Sequence, residues 1–167
     1  VVFVALRRDL AEHFRWPAPS FQLPPTVGEL LGDLMGAQGW QGLEAWKERA
    51  NDIAPTLVGG SKKHGGPDLG PTRAKQAWAS LGVDGRGLVD APPAADFVGM
   101  PRLTVRMCAR IQGFPDEWAF VGKKTPAYRQ VGNAFPPPVA HAVSRQIAQA
   151  IEAAAQARVS RTLLRAA

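Results

Sequence analysis

The chain has 167 residues, 46% of them hydrophobic and 20% charged, with one cysteine and a formal net charge of +6. That composition excludes wholesale disorder and an internal disulfide framework, and Cys and His are not clustered as a zinc site requires. No apolar run approaches the ~18 residues of a membrane span and no signal-peptide leader is read at the start, so a soluble, cytoplasmic protein in a reducing setting is expected.

The opening stretch VVFVAL, Val1 to Leu6, is a continuous apolar run rich in β-branched residues. Such a run predicts a strand buried on both faces of a sheet. No second run of that quality follows, so the strand reads as a piece of a larger fold. RRDLAEHFRWPAPS then predicts a short helix stopped by Pro17 and Pro19. TVGELLGDLMG predicts another, with Thr26 as cap and Glu29 three residues on, the spacing of a capping box.

From Gly36 to Phe97, Gly and Pro punctuate the chain every few residues and periodicity is weak, as in a loop-rich module. Within it, residues 55–80 hold Lys62, Lys63, Arg73 and Lys75 against Asp68, on a backbone turned by Gly59, Gly60, Gly65, Gly66 and Gly70. Glycine lets a main chain approach a ligand closely, and basic side chains on such a loop can neutralise phosphates. The glycine spacing before Lys62 does not fit a Walker motif.

RLTVRMCARIQGFPDEW, Arg102 to Trp118, predicts a helix of about two turns. Thr104 can cap its start, Gly113 can take the left-handed position after its end, and Pro115 forbids continuation. Arg102, Arg106 and Arg110 are spaced by four, and three like charges so placed repel unless carbonyls, carboxylates or phosphates meet them. Cys108 lacks a neighbour that would lower its pKa and reads as core.

RQVGNAFPPPVAHAVSRQIAQAI, Arg129 to Ile151, reads as a shaped loop feeding a helix. Gly132 and Asn133 tolerate positive φ, and a proline at the first helical position needs no amide donor. Val139, Val143, Ile147 and Ile151 then form an apolar stripe that must pack on something. The helix start would turn its unpaired N–H groups toward Asn133, a geometry suited to a carboxylate or phosphate. The tail beyond it continues helical composition.

Charge is unevenly placed. Residues 1–35 carry three basic and four acidic side chains, residues 36–100 seven of each, and residues 101–167 ten Lys or Arg against three acids. The excess in the last third suggests a polyanion partner, nucleic acid above all.

Taken together, RLTVRMCARIQGFP followed by RQVGNAFPPPVAHAV resembles the two closing motifs of bacterial-type DNA cytosine-5 methyltransferases. PTLVGGSKKHGG lies where that family carries the Thr-Leu pair of its target-recognition domain. The resemblance implies a partial α/β fold: an incomplete Rossmann-like domain, reduced to one strand and C-terminal helices, with a small loop-rich α+β recognition domain inserted. Residues 1–35 would be the C-terminal part of the catalytic domain and 36–100 the recognition domain. Residues 101–155 would return to the catalytic domain and 156–167 would form a tail.

It further implies that Gly132, Asn133 and Ala134 lie against S-adenosylmethionine, with the helix from Pro136 packed on the sheet. Thr56 and Leu57 would sit near the backbone of double-stranded DNA around an extruded base. Lys62, Lys63, Arg73 and Lys75 are candidate DNA contacts from charge and location. The family places Glu where this chain has Met107, so the reciprocal half of a capping box at Thr104 would be lost.

The family's Pro-Cys nucleophile, Glu-Asn-Val, Phe-x-Gly-x-Gly and Gln-x-Arg-x-Arg motifs do not occur in these residues. This chain alone is therefore expected not to methylate DNA, with the nucleophile supplied by an N-terminal catalytic part that is a separate subunit, a portion of the protein outside these residues, or one lost from the gene. The alternatives are a DNA-binding module without catalysis and a homodimer that covers the lone strand and terminal helix with a second copy.

Overall fold

The computed structural model describes residues 1–59 and 66–166. It contains helices α1 (Arg8–Ala11), α2 (Val27–Met35), α3 (Leu43–Arg49), α4 (Thr72–Ser80), α5 (Val105–Ile111), α6 (Lys124–Asn133) and α7 (Pro137–Ala166). Two compact units result: Val1–Phe21 with Pro138–Ala167, and Gln22–Pro137. No described helix is long and apolar enough to cross a membrane.

Among the described residues the fold is helical, and its one β feature is an isolated parallel bridge between Val89 and Thr104. This corrects two expectations. Val1–Leu6 forms no strand, and Phe3 stays 91% exposed. A strand satisfies its amides and carbonyls only through neighbours, and no described segment pairs with these residues. The loop-rich stretch likewise builds no sheet, so an α+β insert is not seen there. Single backbone bonds stitch it instead: Leu69 N–H to Gly85 O (3.0 Å), Asp84 N–H to Pro101 O (2.9 Å) and Val89 N–H to Leu103 O (3.0 Å).

In the first unit, α7 starts on consecutive prolines, Pro137 and Pro138, whose missing amides would be unpaired in a first turn anyway. The stripe expected on α7 is only partly buried. Val139 and Ile151 remain 43% and 49% exposed, whereas Ala150 and Ala154 are buried. Small side chains allow close approach of the N-terminal segment, and Arg7 and Leu10 line one cleft with Ile151 and Ala154.

The second unit has the larger core. Val27, Leu31, Met35, Trp46, Leu57, Trp78, Leu103, Met107, Cys108, Tyr128 and Val131 join in one cluster. The α2 capping box forms as its spacing predicts: the Glu29 amide donates to Thr26 Oγ1 at 3.2 Å, and the Thr26 amide to Glu29 Oε2 at 2.8 Å. The next free amides of α2 find the exit of α3, Val27 N–H on Asp52 O and Gly28 N–H on Ala50 O. Only a glycine at position 28 permits this, because a Cβ there would stand 2.8 Å from Lys47 O. Arg49 closes the next joint by donating to the carbonyls of Ala79 and Ser80 at the end of α4.

Helix α5 is punctuated as expected, with one substitution of means. Thr104 Oγ1 accepts from the Met107 amide at 3.2 Å, and the Thr104 amide donates to Met107 Sδ at 3.4 Å. The thioether thus takes the place of the missing carboxylate, as a weaker acceptor that suits full burial. At the other end Gly113 has φ of +85°, with its amide on Arg110 O and the Phe114 amide on Ala109 O. These are the two bonds of a Schellman cap.

Candidate functional site

The three arginines around α5 are all satisfied within the protein. Arg102 Nε donates to Asp84 Oδ2 at 2.9 Å, and Arg106 donates to the carbonyls of Pro115 (3.2 Å) and Trp118 (2.6 Å). Arg110 reaches Asp116, Asp33 and the carbonyl of Leu30, tying α5 to α2. The carbonyls and carboxylates foreseen as their partners are supplied by the fold itself. Arg86 joins Arg102 on Asp84. Hydrogen bonding from Arg86 first, then from Arg102, holds the Asp84 carboxyl well below the usual carboxylate range.

Cys108 is fully buried, and desolvation pushes its thiol far up. A thiol so placed is a core group and not a nucleophile.

Gly132 and Asn133 do not form the shaped loop expected of them, and the positive φ they tolerate is not used. Both lie in the last turn of α6, and neither has positive φ. The chain leaves the helix at Ala134, whose ψ of 143° is extended. Gly132 is needed for closeness, not for φ. A Cβ on it would stand 2.5 Å from both the Cα and the amide nitrogen of Gly59. Conversely, a Cβ on Gly59 would stand 2.1 Å from Asn133 Oδ1.

The segment ending at Gly59 is the one that carries the Thr-Leu pair. Thr56 is exposed, whereas Leu57 is 6% exposed and belongs to the core cluster. Leu57 therefore anchors the segment that displays Thr56. Tyr128, fully buried on α6, donates its hydroxyl to Val58 O at 2.9 Å. Burial raises this phenol's pKa, which keeps it a donor. On the other flank, Val58 Cγ2 lies 2.8 Å from where a Cβ on Gly70 would stand, at a φ of +110° that favours glycine. Gly70 leads into α4, so Thr56, the basic start of α4 and the Gly132–Asn133 turn converge.

Of the cations singled out, Lys62 and Lys63 lie outside the described residues. Arg73 is exposed on α4. Lys75 sits 2.7 Å from Asp68 in a partly shielded ion pair, so its charge is already countered. Asn133 is exposed and half-buried Ala134 follows it. Tyr128 and Gly59 as partners were missed by sequence reasoning; Tyr128 directly precedes the Gly-Asn stretch, but its acceptor lies 70 positions away. Among the described residues no cluster of His, Cys, Asp or Glu could hold a metal ion.

The model for the C-5 cytosine-specific DNA methylases matches residues 1–149, and the chain belongs to that family. It is similar to Type II methyltransferase M.NaeI of Lentzea aerocolonigenes, 60% identical over 153 residues that make up 90% of this chain and 37% of that protein. It is likewise similar to Type II methyltransferase M.NgoMIV of Neisseria gonorrhoeae, 52% identical over 155 residues, or 91% of this chain and 49% of that one. A stretch of 51 residues, 30% of this chain and 3% of the relative, is 55% identical to DNA (cytosine-5)-methyltransferase 1A of Oryza sativa subsp. japonica. This chain therefore spans less than half the length of either bacterial relative. No solved structure matches it.

Proposed function

We propose that this chain is the C-terminal portion of a restriction-modification DNA (cytosine-5-)-methyltransferase, providing DNA target recognition and one wall of the S-adenosylmethionine pocket. The observation that carries the reading is the junction of Gly59 with Gly132 and Asn133, which seats the Thr56 segment directly on the Gly-Asn turn. The activity belongs to the whole enzyme, in which a Rossmann-like catalytic part supplies the Pro-Cys nucleophile.

The residues present fit the amino-acid end of the cofactor. Asn133 is an exposed residue whose amide both donates and accepts, which suits a paired ammonium and carboxylate. The carbonyl end of α6 carries partial negative charge beside it, and Ala134 leaves room. When bound, S-adenosylmethionine supplies the methyl group for cytosine C5. The parts played by this chain are positional. Thr56 meets the DNA backbone, Arg73 adds a phosphate contact, Lys62 and Lys63 extend it, and Lys75 contributes once DNA competes with Asp68. Leu57 holds Thr56 from within the core. Residues 36–100 act as the recognition domain and 101–155 return the chain to the catalytic part. Base extrusion then exposes the cytosine to the partner's thiolate. The full enzyme acts in the cytoplasm, on the nucleoid.

Binding of a fluorescent duplex as a function of salt tests the DNA half of this reading. Affinity should fall log-linearly with salt, and Arg73→Ala should reduce the slope by about one phosphate contact. Salt-independent association, or none, would contradict it. DNA binding without any association with a catalytic portion would favour a non-catalytic module instead.

A further inference from the structure

The close approach of Gly59 to Asn133 has no slack. The Asn133 side chain rests where a Cβ of Gly59 would be, the backbone of Gly59 rests where a Cβ of Gly132 would be, and Val58 is pinned on its other side by Gly70. One polar bond closes the arrangement, from the buried Tyr128 hydroxyl to Val58 O at 2.9 Å. We propose that residues 56–59 and the last turn of α6 move as one body. Tyr128 is its positioning residue, so that occupancy of the cofactor wall at Asn133 sets where Thr56 meets DNA. This rests on the reading of Asn133 as cofactor wall and Thr56 as DNA contact.

The physical argument is reciprocal. A ligand held by the Asn133 amide fixes the last turn of α6 and, because residues 56–59 move with it, fixes where Thr56 stands; DNA held at Thr56 fixes the same body. Each ligand therefore lowers the ordering cost of the other, and the two affinities rise by the same factor. The Tyr128 hydroxyl matters because it is the directional contact between the two segments. Without it, packing around Leu57 keeps the fold while Val58 and Gly59 gain freedom.

The test uses the chain assembled with a catalytic portion carrying the Pro-Cys motif, and S-adenosylhomocysteine as the cofactor probe. Duplex affinity is measured by fluorescence anisotropy with and without the probe. In the parent, the probe should tighten DNA binding about tenfold, a typical coupling between sites. Tyr128→Phe should cut that gain, read as the ratio of DNA affinities with and without probe in the same variant, to about threefold or less. Gly59→Ala, which forces the Asn133 amide aside, should abolish the gain. Arg73→Ala should weaken DNA binding equally in both conditions and keep the gain intact. Equal gains in the parent and in Tyr128→Phe, or a parent that binds both ligands with no gain, would overturn the coupling while leaving the proposed function standing. A parent that binds neither ligand would instead overturn the proposed function.

Discussion

Gly132 on α6 and Gly59 in the segment before α4 meet backbone to backbone, with no room for a single methyl group between them. The contact joins two of the three stretches that carry the family resemblance, and it makes the identity of residue 132 a matter of volume. Gly132→Ala should destabilise the chain by about 1 to 3 kcal/mol, the usual cost of overpacking. Gly32→Ala on α2 should do the opposite. The nearest atoms its added methyl would meet are those of the Lys47 side chain, at an ordinary 3.5 Å, and helix propensity would stabilise by about 0.5 to 1 kcal/mol. Urea denaturation of the two variants checks the pair of signs.

Arg110 is the cross-brace of α5. It holds Leu30 O and Asp33 of α2 together with Asp116 after the Schellman turn, and its side chain is only 17% exposed. Arg110→Ala should cost about 1 to 2 kcal/mol, through the lost donor to the part-buried Leu30 carbonyl and the lost packing of the arginine stem, with little from the carboxylates, which are half or more exposed. Arg110→Lys should recover less than half, because one ammonium cannot serve the carboxylates and the carbonyl with a planar fork. Thermal melts of both variants check this.

The α5 cap gives a smaller effect with a clear control. Thr104→Ala should cost about 1 kcal/mol, while Thr104→Ser, which keeps the acceptor for the Met107 amide, should be nearly neutral. Chemical denaturation at matched protein concentration decides it.

Stability should depend on pH at the acid end. The Asp84 carboxyl is held low by Arg86 and Arg102, and those of Asp33 and Asp116 are held low chiefly by Arg110. Each is depressed in the folded state, so its contribution is fully present above the unfolded value of about 4 and is lost as pH falls through the folded one. Unfolding free energy should therefore fall steadily below about pH 4. Asp84→Asn should be less stable than the parent at pH 7 and should lose part of that acid slope. Titrating the urea midpoint against pH in both proteins measures it.

Local chemistry was legible in the amino-acid sequence where one turn of chain decides the outcome. Thr26 with Glu29, Thr104 as a cap and Gly113 as a left-handed stop all depend on residues three to five positions apart, and all appear as expected. Val1–Leu6 was not legible, because a strand is a property of its neighbours. Nor was Gly132, whose reason for being glycine is a backbone on another segment. Met107 shows the same limit at short range, since a thioether accepting an amide is not something the spacing of a capping box announces. The burial of Leu57 beside an exposed Thr56 likewise follows from tertiary packing and separates two residues that the motif presents as a pair.

The proposed function has this chain supply recognition and a cofactor wall to the catalytic part that carries the Pro-Cys nucleophile. It is tested most directly by mixing the chain with a polypeptide carrying the Pro-Cys motif and measuring methyl transfer from S-adenosylmethionine to duplex DNA. Formation of 5-methylcytosine only when both parts are present, and its loss on Asn133→Ala, is the result expected. No association and no methyl transfer in the mixture would contradict the account.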